Sequence, residues 1–147
     1  GCYCSINNVL KNAIDIISKT YDYTLIDSPA GLEFFARKSA RDVSDLIIVV
    51  DPSKMAFHSV ERILEVTKEV SLEFGHKWLL GNRFTDNLKN LLDERLTSLK
   101  GNHVQFLGAI PEDSEIRRFN LLGGNLLDLD KSNETFQQCR DLFSKVV

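Results

Sequence analysis

Asp45-Leu46-Ile47-Ile48-Val49-Val50-Asp51-Pro52-Ser53 is the stretch that decides the fold. From Leu46 to Val50 the apolar residues follow one another without alternation, as in a parallel strand covered by helices on both faces. Asp51-Pro52-Ser53 closes the run, because proline cannot supply the next ladder hydrogen bond. Downstream, Val60, Ile63, Leu64, Thr67 and Val70 recur at helical spacing and lead to a second strand, Lys77-Trp78-Leu79-Leu80-Gly81-Asn82. Leu88, Leu91, Leu92, Leu96 and Leu99 form another helical stripe, with Gly101-Asn102 as its stop. Val104 to Ile110 then reads as a strand ending at Pro111, and two short helices, near 113 to 121 and 132 to 146, complete the chain. Upstream, Ile6, Val9, Leu10, Ala13, Ile14 and Ile17 predict a helix ending near Lys19. Tyr21 to Asp27, β-branched and aromatic, predicts a further strand stopped by Ser28-Pro29-Ala30-Gly31.

Helices alternating with short buried strands define an α/β class: a parallel sheet with helices on both faces, expected to form one domain over residues 1–147. Ligands in such sheets sit beyond the carboxyl ends of the strands. Those ends are Asp27 to Gly31, Asp51 to Ser53, Asn82 to Phe84 and Pro111 to Asp113, and Asp27, Asp51, Asn82 and Pro111 are expected along one edge.

Composition narrows the function. Eighteen Lys and Arg against twenty-one Asp and Glu give a net charge of -3 with no basic block, which argues against nucleic acid as a partner. No apolar run approaches the roughly 20 residues that a bilayer demands. Residues 132 to 147 set Arg140 and Lys145 against Glu134 and Asp141, so a basic face for anionic lipid is not expected either. The chain therefore reads as soluble and cytoplasmic, with no membrane partner. Three cysteines are too few for a disulfide framework, but two of them form Cys2-x-Cys4. Two thiolates are half of a tetrahedral soft-metal site, and a two-fold dimer would complete an S₄ set for zinc or nickel. Two ordinary cysteines near a frayed end are the alternative. Cys139, in helical register with Phe136 and Phe143, reads as a small core residue, and His58, His76 and His103 as structural or exposed.

Asp27-Ser28-Pro29-Ala30-Gly31 carries the first chemistry. A carboxylate after an apolar strand can hold hydrated Mg²⁺ beside a nucleotide, and a following glycine lets backbone approach a γ-phosphate, although Asp-Ser-Pro also opens ordinary turns. Together with Ser44 to Val50, Gly81-Asn82-Arg83 and Leu107-Gly108-Ala109-Ile110-Pro111-Glu112-Asp113, the segment Tyr21 to Gly31 resembles the successive signatures of the MinD/ParA-like ATPases with a deviant phosphate loop. The opening Gly1-Cys2-Tyr3-Cys4-Ser5 is similar to the Cys-x-Cys segment of the CooC-type accessory ATPases that help insert nickel into carbon monoxide dehydrogenase.

That resemblance implies a P-loop NTPase-like fold and ATP with Mg²⁺ as the cofactor. It places Asp27 in a switch-like region near Mg²⁺ and the γ-phosphate, and makes Gly31 the source of that loop's mobility. Asn82 would bond the adenine edge, Arg83 would flank the base, and Pro111, Glu112 and Asp113 would line its other side through backbone groups. Cys2 and Cys4 would bind zinc or nickel between the subunits of a homodimer, with the carbon monoxide dehydrogenase apoenzyme as client. Locally, Asn82-Arg83 also fits a turn with a solvated charge, and Glu112-Asp113 a helix cap with an acidic first turn.

The sequence departs from the family by lacking any Gly-x-x-x-x-Gly-Lys-Ser/Thr or Lys-Gly-Gly loop; its only paired glycines, Gly123-Gly124, have no lysine after them. In that family the phosphate loop lies upstream of the Cys-x-Cys segment. The chain is therefore expected to be the carboxyl-terminal part of a nucleotide-binding ATPase domain, to expose apolar surface where the phosphate-loop strand belongs, and not to hydrolyse ATP alone.

Overall fold

The computed structural model describes residues 9, 12–14, 16–28, 43–85 and 88–146. Three strands, β1 (Asp45–Val50), β2 (His76–Asn82) and β3 (Val104–Ile110), form one sheet in the order β1-β2-β3. Both pairings are parallel, as the unbroken apolar runs require. The crossovers carry α1 (Lys54–Glu69) and α2 (Lys89–Leu99), and α3 (Ser114–Leu122) and α4 (Glu134–Phe143) follow β3.

Each face of the sheet has its own core. Phe57, Val60 and Leu64 of α1 and Leu92 and Leu99 of α2 pack on Ile48, Val50 and Leu79. On the opposite face, Leu142 of α4 packs with Leu80, Leu107 and Ile110 while Cys139, Phe143 and Trp78 close the margin. Successive residues of β2, Leu79 and Leu80, thus enter different cores, which is why this strand shows no polar alternation. Thr67 is buried in α1, and its hydroxyl donates to the Leu64 carbonyl at 3.0 Å, so it enters the core without an unmet donor.

A bulge in β3 inserts Leu107 between Phe106, opposite Leu79, and Gly108, opposite Leu80. Leu107 thereby turns into the α4 core. Gly108 has φ +154°, and a Cβ there would lie 2.4 Å from Leu142 Cδ2, so the glycine is what lets α4 settle on the sheet. The Gly123-Gly124 pair ends α3: Gly123 is left-handed at φ +68°, and the Gly124 amide donates to the Phe119 carbonyl at 2.8 Å.

The amino-terminal expectations fare differently. Residues 12–14 and 16–18 are helical, as predicted, yet Ile17 of the expected apolar stripe is exposed. Residues 23–28 form no strand, so Tyr21 to Asp27 is corrected from strand to irregular chain. Leu25 is 88% exposed and Tyr23 is also exposed. A parallel strand gains its ladder only from a neighbour, and β1 pairs on one side alone, with β2, among the described residues. Val49 of β1 is 56% exposed. Among the described residues no helix is long and apolar enough to cross a membrane.

Candidate functional site

Register aligns the strand ends. Val50 lies opposite Gly81, and Asn82 opposite Ile110, so Asp51, Asn82-Arg83 and Pro111 emerge together at the carboxyl edge. Three of the four expected positions therefore share an edge. Asp27 is exposed and lies outside any strand, which leaves the expected four-strand edge with three. Cys2, Cys4 and Gly31 lie outside the described residues.

The β2 end is built by a reversal. Arg83 adopts a left-handed φ of +60°, uncommon for a residue with a Cβ and the kind of conformation that persists only when its surroundings enforce it. Here the next residue enforces it: the Phe84 amide donates to the Ile110 carbonyl at 3.1 Å, and the Phe84 ring is only 6% exposed. That ring meets Phe57 edge-on, with centroids 6.4 Å apart and planes at 84°. A Cβ at Gly81 would lie 3.0 Å from the ring, so glycine at this point makes room for the anchor. Asn82 is left half-buried at the strand end and Arg83 exposed beside it.

Arg83 Nη2 lies 3.5 Å from Asp51 Oδ2, an ion pair across the ends of β1 and β2. Asp51 is held in turn by the Ser53 amide, which donates to Oδ1 at 3.0 Å, while Ser53 Oγ caps α1 by accepting from the Ala56 amide at 3.1 Å. Hydrogen bonds from Ser53, with a smaller pull from the Arg83 charge, keep the Asp51 carboxyl below its ordinary pKa.

At the β3 end, Asp113 caps α3, its Oδ1 accepting from the Glu115 amide at 2.7 Å and the Ile116 amide at 2.9 Å. Asn133 Nδ2 donates to Asp113 Oδ2 at 3.1 Å and to Glu115 Oε2 at 3.0 Å, while Asn133 Oδ1 accepts from the Phe136 amide and caps α4. One asparagine thus couples two helix starts. The Ile116 amide above all, with Thr135, Asn133 and Glu115 adding to it, holds the Asp113 carboxyl below its ordinary pKa. Glu112 pairs with Arg117 at 3.5 Å. Pro111, Glu112, Asp113, Asn133 and Thr135 line an open cavity of about 430 Å³.

The capping reading of Asp113 is thus the one its side chain satisfies. Asn133, Thr135 and Gln138, whose amide donates to the Ala109 carbonyl at 2.8 Å, were not singled out by the sequence. An Asn before a helix marks a cap, but nothing local marks its reach across twenty residues to Asp113. Among the described residues no three His, Cys, Asp or Glu side chains gather as a metal site. Cys139 lies half-buried against the α4 core, and burial raises its thiol pKa.

A parallel sheet with helices on both faces and polar groups at its carboxyl edge is the α/β architecture in which ligands bind beyond the strand ends. Over 95% of this chain it superposes with a TM-score of 0.76 on the MinD cell division protein of Aquifex aeolicus, 60% of which is covered at 20% identity. The AAA-domain family profile matches residues 3–78, just over half of the chain, and the chain belongs to that family. An uncharacterized ATP-binding protein of Methanocaldococcus jannaschii, MJ0685, is 30% identical over the whole chain, which covers 57% of that protein. The carbon monoxide dehydrogenase accessory protein CooC of Rhodospirillum rubrum is 25% identical over 96% of the chain and 49% of its own length. The chain spans about half the length of the curated relatives it matches.

Proposed function

We propose that this chain supplies the nucleobase side of an ATP site in a CooC-type accessory ATPase, a cytoplasmic homodimer that assists nickel insertion into carbon monoxide dehydrogenase. The observation that carries the nucleotide reading is the shared register of Asp51, Asn82 and Pro111 at one sheet edge. Asn82 fits the adenine edge because a carboxamide offers a donor and an acceptor side by side. Arg83 flanks the base, and the backbone of Pro111, Glu112 and Asp113 lines its far side. Asp27 and Gly31 are assigned to Mg²⁺ and the γ-phosphate, where bound Mg²⁺ would neutralise charge developing during phosphoryl transfer to water.

The accessory role rests on the likeness to CooC and on Cys2-x-Cys4, whose thiolates suit zinc or nickel shared between two subunits. Sharing makes metal binding and dimerisation thermodynamically linked. The test uses the full-length protein. Asn82→Ala should weaken ATP binding by about tenfold, the worth of a lost pair of buried hydrogen bonds. Cys2→Ser with Cys4→Ser should lower metal content and weaken the metal-dependent dimer while leaving ATP affinity unchanged. Unaltered ATP binding in the first variant would overturn the base assignment. Unaltered metal content and dimerisation in the second would overturn the shared metal site, leaving a positioning ATPase of the MinD kind as the better account.

A further inference from the structure

Two facts about Arg83 are left unused by base flanking alone. Its backbone is pinned in a left-handed conformation by the buried Phe84 anchor, and its guanidinium reaches back over the end of β2 to Asp51, 3.5 Å away. Most exposed ion pairs join side chains that wander. In this pair the backbone reversal fixes where the Arg83 side chain leaves the chain. The other end is fixed by the Ser53 amide on Asp51 Oδ1, which leaves Oδ2 to face Arg83.

We propose that Asp51 is a positioning residue for nucleobase selection, holding the Arg83 guanidinium across the ends of β1 and β2 as a preformed cationic wall for a purine. The inference rests on the proposed nucleotide site and names the residue that sets its base preference. A guanidinium plane held in place stacks on any base, but a purine offers the larger π-face and gains more. Arg is suited to this and Lys is not, since only a planar, delocalised cation can both stack and pair. Restraining the side chain beforehand also removes part of the ordering cost that binding would otherwise carry.

Asp51→Asn separates positioning from structure. Asparagine offers the same Oδ1 to the Ser53 amide, so the turn and the α1 cap persist while the negative charge facing Arg83 is lost. In the full-length protein, ATP and CTP affinities are measured by calorimetry for the wild type, Asp51→Asn, Asp51→Glu, Arg83→Ala and the Asp51/Arg83 double variant. Asp51→Asn should weaken ATP by about two- to fivefold, the range an exposed pair supports, and CTP by less, narrowing the purine preference. Asp51→Glu should restore part of that preference, and the double variant should bind no worse than Arg83→Ala. Melting temperatures should stay together.

ATP affinity unchanged in Asp51→Asn, with Asn82→Ala still weakened, would overturn the positioning role and leave the nucleotide site standing. Tighter ATP binding in Asp51→Asn would overturn it too, showing the pair to be an obstacle. An equal loss for ATP and CTP would mean the effect is electrostatic and not base selection. A wild type that binds neither nucleotide would overturn both the site and this inference.

Discussion

Phe84→Ala tests whether the reversal that presents Asn82 and Arg83 is anchored from below. The ring is 6% exposed, meets Phe57 edge-on at 6.4 Å and fills the space that Gly81 leaves open. Truncating a buried phenylalanine costs about 3–5 kcal/mol, and the edge-on pair accounts for about 1 kcal/mol of that. The site lies at the end of the core beside the strand-edge loop, where chain can partly collapse into the void, so we expect about 3 kcal/mol. Phe84→Leu keeps apolar volume and loses the ring pair, so about 1 kcal/mol is expected. Urea denaturation of the full-length protein measures both. Because the unfavourable φ of Arg83 is compensated only while Phe84 is seated, ATP affinity in Phe84→Ala should also fall under conditions where the protein stays folded. A loss below about 1 kcal/mol, or full ATP affinity in the truncated variant, would refute the anchoring argument.

Gly108→Ala should destabilise by more than about 2 kcal/mol, because its Cβ would meet Leu142 Cδ2 at 2.4 Å and its φ is +154°; a melting curve superposable on the wild type would contradict this. Asp113→Ala should cost about 1 kcal/mol through the lost α3 cap, whereas Asp113→Asn should retain most of it, read by denaturation at pH 7. The folded Asp113 carboxyl is held below its ordinary value, so its contribution is complete above about pH 4 and is lost as pH falls through the lower folded value. The stability gap between wild type and Asp113→Ala should therefore narrow in acid, and a gap that widened below pH 4 would show the linkage to have the opposite sign.

How much of this was legible in the sequence depends on whether a signal was local. Leu46 to Val50 and Leu79-Leu80 announce strands covered on two faces, and the structure places their alternate residues in two cores. Asp113 and Asn133 announce helix starts through short side chains that accept backbone amides. Tyr21 to Asp27 carries the same β-branched and aromatic composition, yet composition only states fitness for a pleated surface; the ladder must come from a neighbour. The bulge at Leu107 is equally silent, since Leu107-Gly108 reads as ordinary strand until Leu142 is seen above it. Asp51 and Arg83 each look like strand-end residues, and only the register of β1 against β2 brings them together.

If the proposed nucleotide site is right, charge sets which way the nucleotide lies on this edge. Glu112, Asp113 and Glu115 crowd the β3 side, and Asp51 already occupies the nearest guanidinium, Arg83. A triphosphate beside those carboxylates would meet about 1 kcal/mol of repulsion per close pair even in water, and more in a cleft of lower dielectric. A neutral base meets no such penalty, and its edge can use the Asn82 carboxamide and the backbone at 111–113. On the proposed reading the base would lie between the ends of β2 and β3, with the phosphates running away from β3 and past β1. This edge would then take the base, and the triphosphate would be neutralised by a phosphate-binding element past β1.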